Sequence, residues 1–314
     1  MVPPMRALVT GGAGFIGSHI AERLVSQGHS VRVVDNLSSG KRENLAGFAS
    51  DVELVEADIR DPARMDAALV GCEVVFHQAA IVSVPYSVEH PQETHDTNIQ
   101  GTLNVLAAAR KAGVRRVVFA SSAAIYGDDP ELPKTEAMLP NPIAPYGVEK
   151  LTSEYYLRVY SRLYGVETVA LRYFNVFGPR QDPKSAYSGV ISIFVDKVLA
   201  GQVPTIFGDG TACRDFVFVA NVVDVNLEAA TREGVSGRAF NIACGARTTL
   251  NRLLEILGRI AHREVRAKYE GPRAGDILES VADIGLARAM LGYEPRVGVE
   301  EGLRALVEHV QKGR

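Results

Sequence analysis

Tyr146 and Lys150 stand four residues apart, the spacing that puts two side chains on one face of a helix. A free phenol, with a pKa near ~10, is a poor base at neutral pH, but a neighbouring ammonium and a cationic nicotinamide both favour the phenolate. The pair could therefore act as a general base, although Tyr-x-x-x-Lys taken alone is more often a solvated helix pair. A second group of residues changes those odds. Gly11-Gly12-Ala13-Gly14-Phe15-Ile16-Gly17 follows the apolar run Leu8-Val9-Thr10 and opens an amphipathic stretch. Gly12, Gly14 and Gly17 fit GxGxxG, and Gly11, Gly14 and Gly17 fit the wider GxxGxxG. Such a turn lets a pyrophosphate reach the unpaired N–H groups at a helix start. The next apolar run ends at Asp35, close to the ~20-residue offset of an acid that binds an adenine ribose 2′-hydroxyl. Its charge would repel the extra phosphate of NADP, so the pattern favours NAD.

Holding these groups together requires a scaffold, and the hydrophobic pattern supplies one. Apolar runs at 7–10, 31–35, 52–56, 74–77, 117–121 and 168–173 alternate with amphipathic stretches. That alternation predicts an α/β fold, a Rossmann-type doubly wound parallel sheet covered on both faces. Long helices are expected over 91–112 and 146–164. After Gly178-Pro179-Arg180-Gln181-Asp182-Pro183 the alternation stops. The pattern thus divides the chain into a dinucleotide-binding domain, 1–178, and a smaller C-terminal α/β substrate domain, mainly 179–314. The first domain is expected to reclaim about 214–237.

Composition narrows the function. The chain has 314 residues, and 34 basic against 37 acidic residues give a net charge of -3, which leaves no basic surplus for a nucleic-acid backbone. Neither a run of ~18 apolar residues nor a signal-peptide core is present, so no membrane partner and a cytoplasmic location are expected. Cys72, Cys213 and Cys244 lack zinc-site spacing and read as reduced thiols, and the seven histidines are dispersed. No metal site is expected. His77 reads as a packed residue at a strand end.

Further blocks fall in order along the chain: Asp35-Asn36-Leu37-Ser38-Ser39-Gly40, Asp58-Ile59-Arg60-Asp61, His77-Gln78-Ala79-Ala80, Asn98-Ile99-Gln100-Gly101-Thr102, Ser121-Ser122-Ala123-Ala124-Ile125-Tyr126-Gly127, Tyr146-Gly-Val-Glu-Lys150 and Leu171-Arg172-Tyr173-Phe174-Asn175. With the glycine turn they make the chain, over nearly its whole length, resemble the extended short-chain dehydrogenase/reductase family and, within it, the nucleotide-sugar 4-epimerases. The resemblance implies an NAD site built from Gly11, Gly14, Phe15, Ile16, Gly17, Asp35, Asn36, Ser38 and Gly40. Asp58 and Ile59 would flank the adenine. Gln78, Ala79, Ala80 and Asn98 would line the cleft, Lys150 would hold the nicotinamide ribose, and Tyr173 would lie near the nicotinamide.

On the substrate side it implies Ser122, Tyr146, Ser83, Asn175 and Val190, backbone contacts to uracil near Thr205 and Phe207, and a UDP clamp of Arg214, Arg273 and Asp276. Three residues depart from the family pattern: Ala212 for a glutamine, Phe218 for a tyrosine and Asn221 for an aspartate. The resemblance further implies that Tyr146 removes the 4′-hydroxyl proton while hydride passes from C4 to NAD and returns to the other face of a rotated 4-keto sugar. Dehydratases in the family carry an Asp-Glu pair where this chain has Ala123 and Ala124, and uronate epimerases carry an arginine at Pro85. Epimerisation of a UDP-hexose, UDP-glucose and also UDP-N-acetylglucosamine, is therefore expected. A reductase that releases its cofactor, a uronate epimerase and a non-catalytic NAD-sensing module are the alternatives. Ser280, four residues after Asp276, falls where a bulky aromatic would exclude a 2-acetamido group. The two long helices imply a homodimer.

Overall fold

The apolar runs form one parallel sheet in a computed structural model that describes residues 4–182, 189–271 and 279–312. The first half runs β1 (Arg6–Thr10), α1 (Phe15–Ser26), β2 (Ser30–Asp35), β3 (Val52–Glu56), α2 (Pro62–Ala68), β4 (Val74–His77), α3 (Val84–Glu89), α4 (Pro91–His95), α5 (Gly101–Ala112), β5 (Arg116–Ser122), α6 (Pro145–Tyr164) and β6 (Glu167–Tyr173). The second half runs β7 (Asn175–Phe177), α7 (Val190–Leu199), β8 (Thr205–Phe207), β9 (Cys213–Arg214), β10 (Phe216–Phe218), α8 (Val219–Thr231), β11 (Arg238–Ile242), β12 (Thr248–Thr249), α9 (Leu250–Ala261), β13 (Lys268–Glu270), β14 (Glu279–Ser280), α10 (Gly285–Leu291) and α11 (Val299–Lys312). The seven-stranded sheet has the order β11-β6-β5-β4-β1-β2-β3, with every pair parallel.

Side chains alternate between the faces of a strand, and here both faces are buried. Val9, Val33, Phe76 and Val118 pack into one core, and Leu8, Val34, Val75 and Phe119 into the other. That double burial explains why the strands read as nearly continuous apolar runs. Chain order reverses beside β1, where the loops after β1 and β4 diverge and leave a crevice at the carboxyl ends of the strands.

Two expectations need correction. The stretch 91–112 is not one helix, because a π turn over Asp96–Gln100 separates α4 from α5. At this widened turn the Asn98 carbonyl accepts from Thr102 and Ser153 hydroxyls, and its side chain reaches out to Ile81. The return to the first domain also runs past 237: α8 packs on α1, and β11 joins the sheet beside β6. The short β12-β9-β14 sheet and the β13-β8 pair lie outside the seven-stranded sheet.

Candidate active site

The glycine turn is built by close approach. Gly11 has φ +65°, and a Cβ there would lie 2.8 Å from the backbone of Ala79. A Cβ on Gly17 would lie 2.2 Å from the Gly11 carbonyl oxygen. The turn therefore packs directly against Gln78 and Ala79. Helix α1 starts at Phe15 behind Gly14 without a side-chain cap, so its first amides, with those of Phe15 and Ile16, are open to an anion. Asp35, at the end of β2, accepts from the Ala13 amide at 2.9 Å and the Leu37 amide at 2.8 Å. Burial pushes its carboxyl pKa up and the two amides oppose this. Each oxygen keeps a further lone pair for a ribose hydroxyl.

The rim continues the same way. The Asn36 amide donates to Asp58 and its oxygen accepts from Ser38, while Gly40 sits against the Asp35 carboxylate. Arg60 holds Asp58 down to about 2, and Ile59 packs against Gly101. A cradle that side chains would fill, open helix amides and a placed acid together fit the diphosphate and adenine ribose of NAD.

Inside the cleft the Gln78 amide donates to the Tyr173 hydroxyl at 3.3 Å. Asn226 on α8 fixes that hydroxyl, donating to it at 2.7 Å. Asn226 is a cleft residue missed from sequence, although an asparagine on the buried face of an apolar helix was a visible signal. His77 bonds Thr10 at 2.7 Å and Thr102 at 3.0 Å. Burial holds its imidazole down to about 3, so it is a neutral packed residue. Asn98 gives its amide to Ile81 and Glu149, which makes it a brace for the cleft wall.

Helix α6 presents Tyr146 and Lys150 from its first turns, with Pro145 at its start. The Lys150 ammonium donates to the Ala120 carbonyl at 2.8 Å and lies 5.7 Å from the Tyr146 ring centre. Ser122, at the end of β5, accepts from the Ala124 amide at 3.1 Å and stands beside the Tyr146 phenol. Burial pushes the Tyr146 phenol up to about 12, with the Ser122 hydroxyl opposing. Burial also takes the Lys150 ammonium down to about 8, with Glu149 and Glu154 opposing. In the protein alone desolvation therefore outweighs the neighbouring ammonium at Tyr146, and the expected easing of its ionisation calls on the positive nicotinamide as well as Lys150.

On the substrate side Asn175, Val190, Thr205, Phe207 and Arg214 line one cleft of about 320 Å³. The Asn175 amide donates to the Asp215 carbonyl at 3.1 Å. Ser83 lies apart as the N-cap of α3, accepting from the Tyr86 amide at 3.0 Å, which leaves its O–H able to donate. Ser280 sits in register with Arg214 across β14 and β9 and does not line this cleft. Arg273 and Asp276 lie outside the described residues.

Asp215, absent from the sequence-derived set, is buried and accepts from the amides of Cys244, Gly245 and Ala282. Burial pushes its carboxyl up to about 6. Its own amide donates to the Ser280 carbonyl, so it pins three loops around the cleft. An acid lodged between Arg214 and an apolar Phe216 was its only sequence signal. The departures also find structural roles. Ala212 lines the cleft, Phe218 packs against Phe177 at 5.5 Å, and Asn221 donates to the Val297 carbonyl while accepting from the Arg296 and Val297 amides. An aspartate could not make that donation.

Among the described residues no cluster of three or more His, Cys, Asp or Glu is placed for a metal ion, the three cysteines are free, and no helix is long and apolar enough to cross a membrane.

Comparison with known proteins adds to this geometry. The NAD dependent epimerase/dehydratase family matches residues 7–243. The UDP-glucose 4-epimerase of Mycolicibacterium smegmatis is 41% identical over 313 residues, covering 97% of this chain and 98% of that protein. The crystal structure of UDP-glucose 4-epimerase with UDP-glucose from Thermotoga maritima is 43% identical, with a TM-score of 0.93 and coverage of 98% of this chain and 99% of that one. UDP-N-acetylglucosamine 4-epimerase from Methanobrevibacter ruminantium, in complex with UDP-N-acetylmuramic acid, is 38% identical, with a TM-score of 0.95 and coverage of 99% of both chains.

Proposed function

Because the chain belongs to the NAD dependent epimerase/dehydratase family, an enzyme family that uses NAD, we propose that it inverts C4 of a UDP-hexose through a transient 4-keto sugar. The observation that carries this reading is the placement of Tyr146 and Lys150 together at the start of α6, the Lys150 ammonium 5.7 Å from the Tyr146 ring centre and held by the carbonyl of Ala120, two residues before Ser122. Ser122 belongs to β5, which lies beside β4, and the loop after β4 packs on the glycine turn. The relatives named as 4-epimerases support the same reaction. When bound, NAD supplies the oxidising ring that takes the C4 hydride and gives it back, together with a positive charge.

The chain's own residues then have distinct tasks. Tyr146 takes the 4′-hydroxyl proton and returns it, and Ser122 holds the reacting oxygen within reach of the phenol. Lys150, fixed by the Ala120 carbonyl, holds the nicotinamide ribose and contributes its charge. Gly11 to Gly17 with Asp35 hold the cofactor's diphosphate and adenine ribose. Arg214 pairs with the UDP diphosphate, as a guanidinium fork suits it, and Thr205 and Phe207 seat the base. Ala123 and Ala124 offer no acid or base at C5 and C6, so elimination has no proton donor there.

Substrate range follows from Ser280. Ser280 pairs in register with Arg214, the arginine assigned here to the diphosphate, and a relative named for UDP-N-acetylglucosamine supports a small side chain there. In a turnover panel, the wild type is expected to epimerise UDP-glucose and UDP-N-acetylglucosamine alike. Ser280→Tyr is expected to lose the N-acetylated substrate while keeping most UDP-glucose activity, since steric exclusion of a whole acetamido group outweighs the ~1–3 kcal/mol of a missing methylene. N-acetyl activity unchanged in that variant would remove Ser280 as the gate.

Assembly follows from α6. Val148, Tyr155, Val159 and Leu163 are 47, 51, 41 and 70% exposed, at the spacing of one helical stripe. A second copy of the chain covers this stripe to form a homodimer. Light scattering at micromolar concentration is expected to give the mass of two chains; a one-chain mass would refute the pairing.

A further inference from the structure

Glu149 lies between Tyr146 and Lys150 on α6, buried to 3% exposure. Its two oxygens accept from the Thr94 hydroxyl and the Asn98 amide, both at 2.6 Å. The Asn98 amide donates, and the Thr94 hydroxyl, which also lies 3.2 Å from the Pro91 carbonyl, can donate, a pair of partners that suits a carboxylate. A charge at that depth is costly unless balanced, and Lys150 is the cation it acts on, favouring the ammonium. Asn98 also exchanges hydrogen bonds with the Ile81 amide at 2.8 Å and the Ile81 carbonyl at 2.9 Å. A continuous tie therefore runs from α6 through the π turn to the loop that joins Gln78 to Ser83.

We propose that Glu149 is a positioning residue for the Tyr146–Lys150 pair, its fixed carboxylate keeping Lys150 an ammonium and tying the start of α6 to the cleft wall. The proposal rests on the reading that Tyr146 and Lys150 serve the reaction. Other charges near α6 are accounted for. Glu154 also favours the Lys150 ammonium, as the smaller of the two carboxylate contributions, but is itself paired with Arg172 at 2.8 Å, and buried His77 is held neutral. On the packed α3, α4 and π turn, Glu89, His90 and His95 are exposed, Glu93 accepts from Tyr86 and Asp96 from Gln92. On α5, Arg110 and Lys111 are exposed at the far end.

The sign of the effect is fixed. Glu149 favours protonation of both neighbours, so removing its charge lets Tyr146 ionise, and Lys150 lose its proton, at lower pH. The acid and alkaline limbs of kcat/KM then move the same way.

The experiment is the pH profile of kcat/KM for UDP-glucose in the NAD-loaded wild type, Glu149→Gln, Glu149→Asp and Tyr146→Phe. In Glu149→Gln both limbs are expected to move to lower pH by about one unit, with activity lost first on the alkaline side. Glu149→Asp is expected to keep the limbs in place at reduced height. If the glutamine variant does not fold, Glu149→Met carries the same expectation. Wild-type turnover by Tyr146→Phe would overturn the reading of the pair itself. Loss of turnover there, with limbs unmoved in Glu149→Gln or Glu149→Met, would overturn the role of Glu149 alone.

Discussion

Tyr146→Phe is expected to lower kcat for UDP-glucose epimerisation by about a thousandfold or more, the range lost with a positioned general base, while NAD stays bound. The ring is buried against α6 and its amide is held by the Ser87 hydroxyl at 3.1 Å, so phenylalanine keeps the packing and removes only the oxygen. Ser122 retains the Ala124 amide as a partner, which limits the stability change to about 1 kcal/mol. The alternative to this role is that another group moves the proton. The nearest is Ser122, whose hydroxyl accepts from the Ala124 amide and, with an aliphatic alcohol's very weak acidity, is a poor base. Product formation by chromatography and the bound NAD content of the variant check both halves of the expectation. Turnover within tenfold of wild type would remove Tyr146 from the reaction.

Arg172→Met is expected to cost about 3–5 kcal/mol of folding free energy, the largest effect outside the chemistry. The guanidinium of Arg172 grips Glu154 in a fork, at 3.0 and 2.8 Å, and also donates to the Tyr126 hydroxyl at 2.8 Å. That hydroxyl donates to Asn241 at 2.7 Å, and the Ser121 hydroxyl donates to Glu154 at 2.5 Å. The network thus joins β5, α6, β6 and β11 directly behind Ser122. Methionine fills much of the volume but leaves Glu154 as a buried charge without its counter-ion. Replacing both, in Arg172→Met with Glu154→Leu, is expected to recover most of the loss, because two apolar groups need no partner. Denaturant midpoints of the single and double variants measure this. A single-variant cost below about 1 kcal/mol would show that the pair does not hold these elements together.

What could be read from residues alone followed the strength of the local signal. The glycine turn and Asp35 were legible because a strand, a φ-positive turn and a helix start each leave a mark in residue type. Tyr146 and Lys150 were legible because their spacing has a geometric meaning. The break in 91–112 was not, since a π turn keeps the residue types of a helix and is set by Asn98 reaching Ile81, a contact distant in sequence. Glu149 and Asp215 share another difficulty. Each is a polar residue in a plausible surface position of the sequence, and only the packing of other segments reveals that it is buried and what it holds. The burial that raises the Tyr146 phenol was not legible for the same reason, because desolvation depends on everything around the ring.

The central claim is oxidation and re-reduction of one sugar carbon within a single turnover, which leaves the cofactor unchanged. The most direct test incubates the purified protein with UDP-glucose and a small fraction of NAD, following UDP-galactose by chromatography and NADH by absorbance in the same sample. Many molecules of UDP-galactose per molecule of NAD, with no net NADH, are expected. NADH rising in step with product, or an oxidised or reduced sugar in place of UDP-galactose, would contradict it.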